Sequence, residues 1–226
     1  RLRKLAPDHQ LRGYLTFIAD ICDAQHAIVG ALPPVTLPAL DEVSRALEFG
    51  MAPVARNRIA IDEVALVTLD RLLDAAKSIA MPDEAAASRD GVIACDEAER
   101  RALIANVLAD SIPVEEIAEH AFVAAAMQVH FARLAAALPA EKIRSVADAA
   151  CPACGGPPAT SSVVDWRDAQ SARFCACATC ATQWHVVRVK CVACSSTKGI
   201  HYFHVEGTAD TIKAECCDEC RTYLKQ

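Results

Sequence analysis

Four C-x-x-C pairs in the last third of the chain constrain its fold more than any other feature: Cys151/Cys154, Cys177/Cys180, Cys191/Cys194 and Cys217/Cys220. Twenty-two residues separate Cys154 from Cys177, and 22 separate Cys194 from Cys217. Adding 40 to each cysteine of the first set gives the second, and the same shift carries Arg173 onto Lys213. This self-similarity reads as a tandem duplication of one small module. Each C-x-x-C forms a knuckle that points two thiolates at one ion, and two knuckles from neighbouring hairpins close a tetrahedron. Ten residues lie between Cys180 and Cys191, too few for another module. The simplest pairing is therefore sequential. Cys151, Cys154, Cys177 and Cys180 surround one ion, and Cys191, Cys194, Cys217 and Cys220 surround another. The alternative is an interleaved arrangement, with the first knuckle against the third.

Size supports a metal. Residues 151–226 make two modules of about 38 residues each, and domains below ~40 residues usually need a metal, a disulfide or a partner to fold. Gln183–Val189 and Ile200–Val205 are rich in β-branched and aromatic residues and are predicted strands. Pro152 and Gly155-Gly156 suit the first knuckle, because Pro fixes one φ and Gly permits the reversed turn. Tetrahedral sulfur sites hold zinc, or a single iron in rubredoxin fashion. Iron would make the sites redox-active and zinc would make them structural, and the spacing leaves both open. Cys175 and Cys216 fall outside the repeat, since the shift carries them onto Glu215 and Ala176. They are spare thiols or buried small residues beside the sites. His201 and His204 are expected to be ordinary strand residues.

Of 12 cysteines, ten fall between Cys151 and Cys220. A long Cys-poor half beside a dense C-x-x-C half points to metal binding in the cytoplasm, not to a secreted disulfide scaffold. With 53% apolar and 23% charged residues, the 226-residue chain has material for a packed core. Its net charge of −6 argues against a dedicated nucleic-acid binder. Residues 1–150 carry 15 basic and 22 acidic residues, against 8 and 7 in residues 151–226. The charge step coincides with the cysteine step, which sets a boundary near Ala149. The expected architecture is α+β and multidomain. An all-α helical domain over 1–148 is followed by two small rubredoxin-like or zinc-ribbon β modules over 149–187 and 188–226.

The first half reads as helical. Leu11, Leu15, Ile18, Cys22 and Val29 recur at helical spacing. A second helix is predicted from about Ile61 to Ile79, with Asp62 and Glu63 in its first turn, Lys77 in its last, and Val64, Leu69, Leu72, Leu73 and Ala76 on one side. A third covers about Asp96 to Ala109, with Leu103, Ile104, Val107 and Leu108 inside. A fourth runs from about Pro113 to Leu138; it holds nine alanines, is apolar nearly all round, and is expected to be central. A further helix is expected between Leu40 and Phe49. His120 and His130 share a rough face of the fourth helix and read as core histidines with hydrogen-bond partners. Cys22 and Cys95 read as buried apolar fillers. No phosphate loop, G-x-S-x-G or H-E-x-x-H occurs, no nucleophile–base constellation appears, and no stretch of 18 apolar residues suggests a membrane span.

Several longer stretches are diagnostic. They are Cys151-Pro-Ala-Cys-Gly-Gly; Cys177-Ala-Thr-Cys180, then Trp184-His-Val-Val-Arg-Val-Lys-Cys191; His201-Tyr-Phe; Lys213-Ala-Glu-Cys-Cys-Asp-Glu-Cys220; and Thr222-Tyr-Leu-Lys225. With Gly13-Tyr14-Leu15 and Gln25 near the start, the chain resembles the formate dehydrogenase accessory protein family, FdhE, over nearly its whole length. Generic zinc ribbons do not share the Trp184–Cys191 stretch. The resemblance implies a cytoplasmic, non-enzymatic assembly factor: a helical domain followed by two rubredoxin-like modules that can carry iron. It implies action on the molybdopterin-containing catalytic subunit of respiratory formate dehydrogenases, during maturation and before export. By match of motif the eight knuckle cysteines carry over as metal ligands, whereas Cys175 and Cys216 depart from the pattern and receive no role. It also implies further chain beyond the last knuckle, where this sequence ends at Gln226.

Two other classes compete. One is a nucleic-acid-binding zinc ribbon, which the balanced charge of the second half disfavours. The other is a rubredoxin-like redox carrier using iron, which is compatible with an assembly role.

Overall fold

A computed structural model describes residues 2–166, 169–204 and 212–226. Among the described residues, seven α-helices precede six β-strands. The helices are α1 (Leu2–Leu5), α2 (Arg12–Ile28), α3 (Leu40–Glu48), α4 (Glu63–Ala76), α5 (Asp83–Ala94), α6 (Glu97–Leu108) and α7 (Ile117–Ala136). The strands are β1 (Pro158–Trp166), β2 (Ala169–Cys177), β3 (Gln183–Val186), β4 (Ile200–Phe203), β5 (Ala214–Cys217) and β6 (Tyr223–Lys225). The expected α+β order, helices first and cysteine-bearing sheet second, is what the chain adopts. It divides into two compact units, one of residues 1–36 and 59–130, the other of residues 37–58 and 131–226.

In the first unit the helix ends are set by side chains. Asp62 caps α4 by accepting a hydrogen bond from the Ala65 amide at 2.8 Å, so Asp62 stands just outside the helix and not in its first turn. Asp96 and Glu99 form a reciprocal capping box at the start of α6. The α4 face of Leu69, Leu72, Leu73 and Ala76 is buried as its spacing predicts, with Ile104 and Leu108 of α6 and much of α7. Pro113 is followed by a 3-10 turn over Val114–Glu116 before α7 begins.

Three expectations need correction. The buried face of α2 is Ala19, Ile21, Ala24 and Ile28, while Leu11 and Val29 are exposed. Cys22 is therefore exposed, one residue and ~100° round from Ile21, and not a buried filler. Cys95 is half-buried at the end of α5, its thiol donating to the Gly91 carbonyl at 3.3 Å. The helix α5 itself has no counterpart among the expected helices: only Val92 of its twelve residues is buried, so no apolar stripe marks it. The core histidines match expectation. The His120 ring sits between the Glu116 carbonyl, 2.7 Å from Nδ1, and the Asn106 side-chain amide, 3.3 Å from Nε2. His130 is 2% exposed, its Nε2 3.9 Å from Asp62 Oδ1.

In the second unit one sheet runs in the order β3-β2-β1-β6-β5-β4. Each half is an antiparallel meander, and the halves join through a parallel contact of β1 with β6 at Thr160 and Lys225. The 40-residue shift carries β4, β5 and β6 onto segments of β1, β2 and β3, so the duplication appears in backbone as well as in sequence. The predicted strands are present but shorter: Gln183 to Val189 ends at Val186, and Ile200 to Val205 ends at Phe203, with Val205 outside the described residues. His201 lies in β4, and His204 lies just past it. The long β1 and β2 are not predicted: β2 is rich in Ala and Cys, which carry little β preference, and β1 opens on Pro-Ala-Thr-Ser-Ser before its short Val163-Val164 run.

Candidate metal centres

Each knuckle is a local product of chain geometry. In the first, the Cys151 amide donates to the Gly156 carbonyl at 2.9 Å and the Gly155 amide to the Cys151 carbonyl at 2.8 Å. The chain turns back through Gly155 at φ +74°, a left-handed conformation that glycine adopts without strain. The third knuckle repeats this, with Cys191 to Ser196 at 2.8 Å, Ser195 to Cys191 at 2.9 Å, and Ser195 at φ +63°. The second and fourth correspond likewise. Cys177 and Cys217 donate to Thr182 and Thr222 at 3.0 Å, and Ala181 and Arg221 share φ +57°. Three non-glycine residues thus accept the disfavoured left-handed region to close the knuckles.

The structure brings the eight cysteines together in the two sequential sets. In each set the four sulfurs lie within 4.8 Å of one another. In the first, Cys151 and Cys180 sulfurs are 3.5 Å apart and Cys154 and Cys177 sulfurs 3.4 Å. In the second, the matching pairs Cys191–Cys220 and Cys194–Cys217 are 3.6 and 3.7 Å apart. A metal–sulfur bond of ~2.3 Å gives a tetrahedral edge of roughly 3.8 Å, so both cages fit a single ion. Sulfurs this close leave no room for a cluster with bridging sulfides.

The surroundings favour the thiolate at some sulfurs and the thiol at others: Cys151, Cys177 and Cys220 are pushed down, whereas Cys154, Cys180, Cys191 and Cys194 are pushed up. Backbone amides of Gly156, Thr179 and Cys180 donate to Cys154 or Cys177 sulfur at 3.3–3.4 Å. Hydrogen bonds from Cys151, Cys154 and Cys180 hold the Cys177 thiol well below its usual range. In the second set, Thr222 hydroxyl and amide bonds push Cys220 down to about 6. Gly156 is a close approach: a Cβ there would lie 2.8 Å from Thr179 Oγ1, 3.1 Å from Cys177 Sγ and 3.3 Å from Cys154 Sγ. Cys175 stands apart from both sets. It is fully buried in β2, and burial pushes its thiol up to about 11, which keeps it neutral. Cys216 is half-buried on β5, outside both cages. His201 is exposed and bonds Asp218 at 2.9 Å.

The two modules are also linked by a buried polar network that the motifs do not reveal. Arg173 on β2 donates to Glu215 Oε1 on β5 at 3.0 Å and to the carbonyls of Arg188 and Lys190, while the Tyr202 hydroxyl donates to Glu215 Oε2 at 2.9 Å. Asp148 ion-pairs with Lys190 and accepts from the Ser195 hydroxyl at 3.0 Å.

The chain is similar to known proteins. The N-terminal, central and C-terminal family models of FdhE match residues 1–148, 150–188 and 189–226. An FdhE homologue of Rhizobium meliloti (strain 1021) is 41% identical over all of this chain and 74% of its own length. FdhE of Salmonella choleraesuis (strain SC-B67) is 30% identical over all of this chain and 72% of its own. The crystal structure of the FdhE protein from Pseudomonas aeruginosa superposes with a TM-score of 0.84 at 28% identity, covering all of this chain and 79% of that one.

Proposed function

The chain belongs to the FdhE family, and from that premise we propose that it is a non-enzymatic accessory factor for maturation of respiratory formate dehydrogenase. It binds the molybdopterin catalytic subunit in the cytoplasm before export. Three parts share the work: a helical domain over 1–148 and metal modules over 149–187 and 188–226. Cys151, Cys154, Cys177 and Cys180 hold one iron or zinc ion, and Cys191, Cys194, Cys217 and Cys220 hold the other. The single observation that carries the metal part is the pair of four-sulfur cages.

An ion bound there supplies charge neutralisation and cross-linking, and with iron also one-electron chemistry. Four thiolates fill a tetrahedron and leave no position for substrate, which supports a binding role over an enzymatic one. No helix among the described residues is long and apolar enough to cross a membrane.

The test is affinity purification from formate-respiring cells grown at low oxygen, with mass spectrometry of what accompanies the protein. The expected result is enrichment of a formate dehydrogenase catalytic subunit, lost in the Cys177→Ser/Cys180→Ser variant. Enrichment of RNA or transcription machinery instead overturns the proposal. Metal analysis of the same preparation reads iron against zinc.

A further inference from the structure

The two cages are built from the same repeat, yet they differ in how they are covered. All four cysteines of the first are buried, at 0, 0, 5 and 4% exposure for Cys151, Cys154, Cys177 and Cys180. In the second, Cys191 and Cys217 are buried, Cys220 is half-exposed and Cys194 is exposed.

The cause is a segment far away in sequence. The Val54 amide donates to the Ala153 carbonyl at 3.1 Å, and the Arg56 amide donates to the Cys154 carbonyl at 3.0 Å. Val54 is fully buried, Ala153 is 1% exposed, and Ala52 lies 3.7 Å from where a Cβ of Gly155 would stand. Residues 52–56 therefore form a lid clamped on two carbonyls of the first knuckle. The shift of 40 carries those carbonyls onto Ala193 and Cys194. Both residues are exposed, and among the described residues no backbone amide donates to either carbonyl. A cavity also borders the second cage. Of about 190 Å³, it lies against Cys191 and Cys217, between Pro157 and Pro158 of one module and Tyr223 and Leu224 of the other. That is room for several waters beside the sulfurs.

We propose that the second centre is an exchange site for a thiophilic divalent cation, taken up and released through the Cys194–Cys220 edge, while the first is locked beneath its lid. This rests on the reading that both cages hold metal. For the first centre to open, the lid must lift and break two backbone hydrogen bonds, a local opening that the second centre does not need.

The experiment uses the full chain loaded with Zn²⁺ alone, with metal content measured first. A chromogenic chelator is added, and release is followed while timed pulses of a thiol-alkylating reagent report which cysteines become free. The expected result is one zinc equivalent released at least about tenfold faster than the other, with Cys191, Cys194, Cys217 and Cys220 alkylated in the fast phase. Val54→Ala, which loosens the lid without touching a ligand, accelerates the slow phase and leaves the fast one unchanged. Release in a single phase, or alkylation of the Cys151 set first, overturns the proposal. A chain that takes up no zinc defeats the metal reading itself, and the loading measurement separates that failure from the others.

Discussion

Arg173 and Glu215 form an ion pair at 3.0 Å between the two metal modules, with side chains 0 and 4% exposed. A buried pair of this kind holds by geometry, because each charge lost water on folding and is compensated only by its partner. Here most of the partners are present: the Tyr202 hydroxyl donates to the second carboxylate oxygen, two carbonyls accept from the guanidinium, and only the Arg173 Nε is buried without a hydrogen-bond partner. Replacing one member strands the other. Arg173→Met is expected to destabilise the sheet unit by about 3–5 kcal/mol. The double replacement Arg173→Met/Glu215→Leu should cost clearly less than the two single ones added together. A chemical-denaturation double-mutant cycle measures both, and strict additivity would count against the pair as a coupled unit.

A methyl group at Gly156 would clash with Thr179 Oγ1 and crowd two sulfurs of the first cage, those of Cys177 and Cys154. Gly156→Ala is expected to widen that cage and weaken its ion, at a cost of about 1–3 kcal/mol. Adding Thr179→Ala removes the nearest clash, at 2.8 Å, and should recover part of the loss. Competition with a chelator of known affinity reads the change, and the second centre serves as an internal control. An unchanged affinity at the first centre would mean that the knuckle moves aside freely.

The two sulfur sets are legible in the sequence, because a C-x-x-C knuckle and a 40-residue shift are properties of spacing alone. The starts of α4 and α6 are legible to within two residues, since α4 begins at Glu63 against about Ile61 and α6 at Glu97 against about Asp96, although Asp62 caps α4 from outside it. The Arg173–Glu215 contact is harder to find: Arg173 keeps a basic counterpart in Lys213, and only Glu215, which the shift carries back onto Cys175, departs from the repeat. The lid over the first knuckle has no such signal. Its two bonds are made by backbone amides of residues 54 and 56, nearly a hundred positions upstream, and backbone donors are the same whatever the side chain. Strand β2 is hidden for a third reason. Its buried residues include Ala172, Arg173, Cys175 and Cys177, which serve the contacts they make and have no strong β preference.

Metal removal should separate the two units. Ions held in the two cages would be the tightest cross-links of the sheet unit, and small sulfur-site modules lose their fold with the metal. Residues 1–36 and 59–130 form a compact unit of their own, with Leu69, Leu72 and Ile104 fully buried. Chelation under reducing conditions is expected to leave helical circular dichroism near its starting value while amides of β1 to β6 lose hydrogen-exchange protection. Loss of helix signal in parallel with the sheet would show that the helices depend on the metal modules.

Asp148 gives a pH dependence with a definite sign. Its hydrogen bond with Lys190 holds its carboxyl below the usual aspartate range; burial opposes this as the next largest effect, and the Ser195 hydroxyl bond and the Lys190 charge add to the lowering. A carboxyl whose pKa is lower folded than unfolded stabilises the fold above the unfolded value of ~3.9, and loses that contribution as pH falls through the folded one. Asp148 is 28% and Lys190 27% exposed at the side chain, so solvent screening limits the gain to roughly 0.5–1 kcal/mol. The stability difference between the natural chain and Asp148→Asn should therefore be constant from pH 8 to about 5 and shrink below that. Urea denaturation at a series of pH values measures it, and a difference that grows toward acid would mean that Asp148 is held in its protonated form.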